Sequence, residues 1–184
     1  MQGKDHAAVA LAIWAGTTAT SWVLYNAGYQ EVAAGAVLGG FTGWLITPDI
    51  DVNDTTYEEY RLYKLFWPLG FVWQNLWAPY GLIFAHRGWS HTPVVGTLTR
   101  VTYALIITLL SMVTFNEWIR LAQYDKRLMV DPTILFVFFW YNMTFCLSWF
   151  TVWCIQDIMH FICDIMSTAA KKEARRAVMK GEEW

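Results

Sequence analysis

The stretch Phe84–Pro93, FAHRGWSHTP, sets two imidazoles, His86 and His91, on either side of Arg87-Gly88-Trp89-Ser90 in otherwise apolar and aromatic sequence. The other two histidines stand far apart, His6 in GKDH and His160 in Asp157-Ile-Met-His160-Phe-Ile-Cys-Asp164. Between them lies Pro48-Asp49-Ile50-Asp51. Imidazole and carboxylate together suit Zn, Mn or Fe and need no thiolate. The candidate donors are His6, Asp49, Asp51, His86, His91, His160 and Asp164. They are more than one tetrahedral ion requires, so one or two divalent transition-metal ions are expected. Two ions about 3.5–4 Å apart can polarise a phosphoryl group and activate a water. The chemistry expected is metal-dependent hydrolysis of a phosphoester, with Asp51 and Asp157 as catalytic carboxylates and Arg87 as a clamp on phosphate. Asp157 could equally orient His160, and Arg87 could equally anchor at lipid headgroups.

The spacings suit convergent ligands. His160 and Asp164 are four apart and share a helical face, and Asp157 extends that stripe. Asp49 and Asp51 point the same way if the chain there is extended. His86 and His91 would splay on a straight helix, so a turn at Gly88 is expected to bring them together.

Each cluster falls where a hydrophobic run begins or ends, and those runs must position it. Ala7–Tyr25 is just long enough to span a core of roughly 30 Å at about 1.5 Å per residue. Glu31–Thr47 carries Gly35, Gly39, Gly40 and Gly43, whose G-x-x-x-G spacing lets another backbone come close, and Pro48 ends it. Asp51–Phe84 opens with charges, turns aromatic, and is interrupted by Pro68 and Pro79. It reads as one or two helices lying in the membrane interface. Val94–Phe115 follows, with Thr92 as N-cap and Pro93 at the first helical position. Asn116–Asp131 is a polar connection. Thr133–Cys154 is apolar and aromatic, and its helical pattern continues past His160 and Asp164 into a basic tail.

The expected fold is all-α: a polytopic membrane protein of four transmembrane helices, with an interfacial aromatic helical segment between the second and third. Residues 1–170 form one membrane-embedded domain and 171–184 a basic cytoplasmic tail. Composition agrees. Hydrophobic residues make up 56% and charged residues 15%, against about a quarter charged in soluble domains. Twelve tryptophans and nine tyrosines favour the membrane–water boundary. A net charge of −2 gives no basis for a nucleic-acid partner. Cys146, Cys154 and Cys163 show no C-x-x-C spacing, hence neither a zinc ribbon nor a disulfide framework. With one early lysine, Lys4, and no small-x-small site, the first run reads as a retained anchor.

Four spans place every polar cluster on one face. That face carries Lys4, Arg61, Lys64, Arg87, Lys171, Lys172, Arg175, Arg176 and Lys180, whereas the opposite face has no Lys or Arg in the turn at Asn26–Gly28 and three, Arg120, Lys126 and Arg127, in the connection Asn116–Asp131. The positive-inside rule then puts both termini in the cytoplasm, in a multi-pass inner (plasma) membrane of bacterial type.

GKDH, PDID, HRGWSH and HFICD, in this order among four hydrophobic runs, resemble the YdjM-like inner-membrane proteins described as metal-dependent hydrolases. They are more similar still to the metal-binding membrane family DUF2227. Its PDxD, a WxPY-like stretch, and HRxxSH-x-P-x-x-G-T-x-x-R resemble Pro48–Asp51, Trp77-Ala-Pro79-Tyr80, and His86 through Arg100. The resemblance covers Lys4 to Arg100, and the last helix through His160 and Asp164. It implies a metal site on His6, Asp49, Asp51, His86, His91, His160 and Asp164, and kinship with zinc-dependent phospholipases and nucleases. Asp5, and the missing proline in Ile165-Met-Ser167-Thr168, depart from the usual pattern. The partners expected are the lipid bilayer, a phospholipid-like substrate, and other membrane subunits or a second copy. The alternative to a hydrolase is a non-enzymatic, metal-stabilised accessory subunit of a larger membrane complex. An open cleft beside the metal would favour the enzyme, and a closed ion the structural role.

Overall fold

The computed structural model describes residues 3–51, 57–84 and 88–179, with all their side chains except those of 3–5, 57–59, 61, 171 and 173–179. His86 and Arg87 therefore lie outside the described residues.

The described chain is helical and contains no strand. Its helices are α1 (Gly3–Asn26), α2 (Gln30–Leu45), α3 (Tyr57–Leu65), α4 (Trp67–Ile83), α5 (Val95–Leu121), α6 (Thr133–Tyr141) and α7 (Met143–Met179). Among the described residues, three helical segments are long and apolar enough to cross a membrane: His6–Asn26, Val95–Leu121 and Met143–Ala170. The run Glu31–Thr47, expected as a span, folds as the shorter α2 of 16 residues, about 24 Å long.

α2 is the centre of the packing, held between α1 and α7, and its glycines are the reason. A Cβ on Gly35 or Gly39 would meet the backbone oxygen of Phe145 or Trp149 on α7, and one on Gly43 would meet Gln156. On the other face, a Cβ on Gly40 would meet Trp14 and Thr17 of α1. Only missing side chains allow both neighbours so close. The contact then brings polar groups within reach across helices. Ser148 Oγ donates to Val32 O at 2.7 Å, Trp149 Nε1 to Thr42 Oγ1 at 2.9 Å, and Gln156 Nε2 to Gly40 O at 2.6 Å. These bonds fix the rotation of α7, and so decide which of its faces meets the end of α2.

Three boundaries differ from the sequence expectations. α5 runs on through Asn116 to Leu121, because Asn116 bonds Val130 from the helix surface and does not stop it. The last apolar run is divided at Asn142, whose side-chain amide bonds Phe138 O at 2.9 Å beside its own backbone N–H at 3.0 Å, so α7 starts at Met143. Thr92 does not cap α5. The preceding residue is Val94, at φ 67° and ψ −51°. Val95 N–H bonds Pro93 O at 2.8 Å across it, a γ-turn of the rare positive-φ form.

The aromatic stretch forms two helices. α4 passes through Pro79 unbroken and buries Trp77 and Tyr80 against Ile50 and Tyr103. Tyr103 Oη donates to Leu76 O at 2.5 Å. Tyr80 and Thr99 share a hydroxyl hydrogen bond of 2.9 Å. This cluster ties the turn after α2 to α4 and α5.

Candidate metal centre

Four chain-distant segments meet at one end of the bundle. His6 comes from the first turns of α1. Asp49 and Asp51 lie in the short 3-10 turn Pro48–Asp51 that follows α2. His91 lies in a second such turn, Trp89–His91, before α5. His160 and Asp164 stand one turn apart on α7. Gly96 permits the approach of the second turn, because a Cβ there would run into the Ser90 carbonyl.

His91 Nε2 lies 3.3 Å from Asp49 Oδ1. His160 Nε2 lies 3.5 Å from the same Asp49 oxygen and 3.7 Å from Asp164 Oδ2. His6 Nε2 lies 3.4 Å from Asp164 Oδ1. The rings of His6 and His160 stack at 4.3 Å. Two donor triads result, His6–His160–Asp164 and Asp49–His91–His160, each with its donor atoms within 4.8 Å of one another. The three histidines are buried, and Asp49 and Asp164 are half-buried.

A cation fits this cluster on three grounds. Donors about 2.0–2.2 Å from a tetrahedral ion stand roughly 3.4 Å apart, close to the spacings above. His160 Nε2 is buried without a hydrogen-bond partner among the described residues, which costs free energy unless something else compensates. The donors are nitrogen and oxygen, and the three cysteines are free. One imidazole nitrogen takes one ion, so both triads cannot be filled through His160 Nε2 at once. The five residues therefore offer two alternative three-donor sites that share His160. A second ion needs further donors.

Asp51 is placed behind His91. It accepts a hydrogen bond from Ser90 Oγ, and its Oδ2 lies 3.4 Å from His91 Nδ1. This is the arrangement in which a carboxylate fixes the tautomer of a metal-binding histidine and turns its other nitrogen to the ion.

Burial opposes a charge on His91, but Asp49 and Asp51 on either side outweigh it and raise its pKa to about 9. Burial likewise opposes ionisation of Asp49, and the imidazoles of His160 and His91 more than reverse that, holding it well below the usual carboxylate range. Without metal, His91 thus gains folding stability from its proton. That gain is complete below the unfolded value of about 6.5 and is lost as pH rises to about 9. Metal has the opposite sign, since it must displace that proton. Zinc affinity, titrated against a competing chelator, should rise roughly tenfold per pH unit across this window. An affinity flat with pH would show that His91 is not a ligand.

Asp157 is engaged with α5 and belongs to neither donor triad. It accepts from Thr97 Oγ1 and Arg100 Nη2, and Arg100 and Thr97 are fully buried. Arg100 also sits over the Trp153 ring at 5.7 Å. Sequence reasoning missed Arg100 as a site residue. The signal was available, because a lone arginine six residues into an apolar run needs a buried partner.

An all-helical chain of apolar helices, with histidines and aspartates gathered at the helix ends into a cluster able to hold metal, defines a metal-binding helical protein. The chain belongs to DUF2227, a family of uncharacterized metal-binding proteins, which it matches over residues 1–174. No curated protein and no solved structure matches it.

Proposed function

We propose that this protein is a membrane-embedded metal centre that hydrolyses a phosphoester at the cytoplasmic face. The observation carrying the reading is an open groove of about 400 Å³ whose lining includes His91 and Asp164. A structural ion is enclosed by protein, whereas a catalytic one keeps a position open to substrate.

The way the ends meet supports a reading of four crossings. His6 at the start of α1 and Asp49 after α2 contact the same histidine, so α2 carries the chain back over the depth that α1 crossed. α5 leaves from that level at His91, and α7 returns to it at His160. The aromatic α3–α4 segment then lies along the interface, with exposed Phe66, Trp67 and Phe71 towards lipid. The basic tail sets that face in the cytoplasm.

In this reading His6, Asp49, His91, His160 and Asp164 hold the metal, and Asp51 holds His91 in register. The bound ion supplies Lewis acidity that polarises a phosphoryl oxygen. Arg87, one residue from His86, remains the proposed phosphate clamp. Asp157 holds α7 to α5 and so sets the height of His160.

Metal-loaded protein should cleave bis-p-nitrophenyl phosphate or a glycerophospholipid. Asp51→Asn should cut turnover by about 10–100-fold at unchanged helix content. A broad phosphoester panel without metal-dependent turnover would replace this reading with the accessory-subunit one.

A further inference from the structure

The groove beside the centre has one polar end and one apolar side. His91 and Asp164 border it where the metal would sit, Phe161, Ile165 and Ala169 form its apolar wall, and Lys172 stands at its rim. Phe161, Ile165, Ala169 and Lys172 follow at intervals of three or four and so form one stripe on α7. The stripe straddles the limit of the apolar segment Met143–Ala170. Phe161 lies within that segment and Lys172 beyond it. All three apolar side chains of the stripe, Phe161, Ile165 and Ala169, are exposed.

From this placement we infer that the groove binds a single-chain anionic amphiphile, a lysophospholipid with a phosphate monoester head. Its phosphate lies between the metal centre and Lys172, and its acyl chain leaves past Ile165 and Phe161 into the bilayer. Lys172 is about 12 Å along the helix from Asp164. Helical side chains lean towards the N-terminus, so the lysine ammonium narrows that gap and leaves the rest to the phosphate head. A free phosphate would satisfy the polar end but would leave the apolar wall unused. A neutral glyceride would satisfy the wall but would leave Lys172 and the metal without a counter-charge. Only a ligand with both parts uses the whole groove, which falls in the usual 300–1,000 Å³ size range for small-molecule sites.

The inference rests on the hydrolase reading for its metal, and its test is therefore a binding measurement. Full-length, metal-loaded protein in phosphatidylcholine nanodiscs is titrated with lysophosphatidic acid carrying a fluorescent acyl chain. The same tail on a neutral monoacylglycerol is the control. The acidic lipid should bind at least about tenfold more tightly, the scale of one charge-assisted contact. Lys172→Gln should remove most of that difference. Ile165→Trp, which fills the groove from an exposed position, should weaken both lipids. Neither variant should change the bound metal measured by elemental analysis. Equal binding of the two lipids overturns the proposal, as does wild-type affinity in both variants. So does complete displacement by inorganic phosphate at the concentration of the lipid, which would mark a site for the free anion. Turnover of bis-p-nitrophenyl phosphate, which has no tail, separates the two ideas. If it persists while groove-dependent lipid binding is absent, the groove proposal fails and the hydrolase stands. If lipid binding follows the groove but no phosphoester is cleaved, the hydrolase reading fails and the lipid site stands.

Discussion

His160→Ala should empty the protein of transition metal. Wild-type protein purified without chelator should carry close to one ion per chain, and the variant less than about a tenth of that. The effect is expected to be this large because His160 belongs to both donor triads. Its loss leaves a pair on each side, His6 with Asp164 and Asp49 with His91, and neither pair can hold an ion against competing chelators. His91→Ala should cost less, since His6–His160–Asp164 survives it. Elemental analysis of the three proteins in parallel decides the matter. Metal-free wild type, or a His160→Ala protein with undiminished metal, would mean that the cluster is not the metal site of this chain.

The second large effect concerns folding. Arg100→Met should lower stability by about 3–5 kcal/mol, the usual result of removing one partner of a buried ion pair. Asp157 is buried with Arg100 and Thr97 around it, and without the guanidinium its charge has no counter-ion in an apolar surround. In a chain of this size the melting temperature should fall by roughly 10 °C. Arg100→Met combined with Asp157→Leu should recover most of the loss, because two apolar groups need no pairing. Thermal melts of both single variants and the double variant form the cycle. A single Arg100→Met variant that melts within a degree of wild type would show that the pair contributes nothing.

The helical class and the apolar segments were legible because their signal is local: runs of nonpolar residues ended by Asn26-Ala-Gly28 and Pro48, or opened by Pro132. The glycines of α2 also read correctly as a close-packing face, although no local pattern names the helix that fills it. That helix is α7, more than a hundred residues later, and the match depends on Ser148, Trp149 and Gln156 meeting α2 in register. The residues now gathered around His160 could be picked out because each stands at the end of a run, where an ionisable group is otherwise costly. Their division of labour was not legible. Asp49 and Asp51 are two residues apart, yet one faces His91 Nε2 and the other Nδ1, because the chain between them is a tight 3-10 turn and not extended. The division of the last apolar run at Asn142 was missed because a single amide competing for one carbonyl leaves hydrophobic periodicity unchanged.

Both donor triads found among the described residues take His160 from α7, and one of them joins it to His6 at the start of α1. Helices α1 and α7 each pack on α2, so these donors come within reach of one another only once α7 has seated against the glycine face. An ion held there would clasp segments that lie far apart along the chain, and its affinity would report how well those helices are docked.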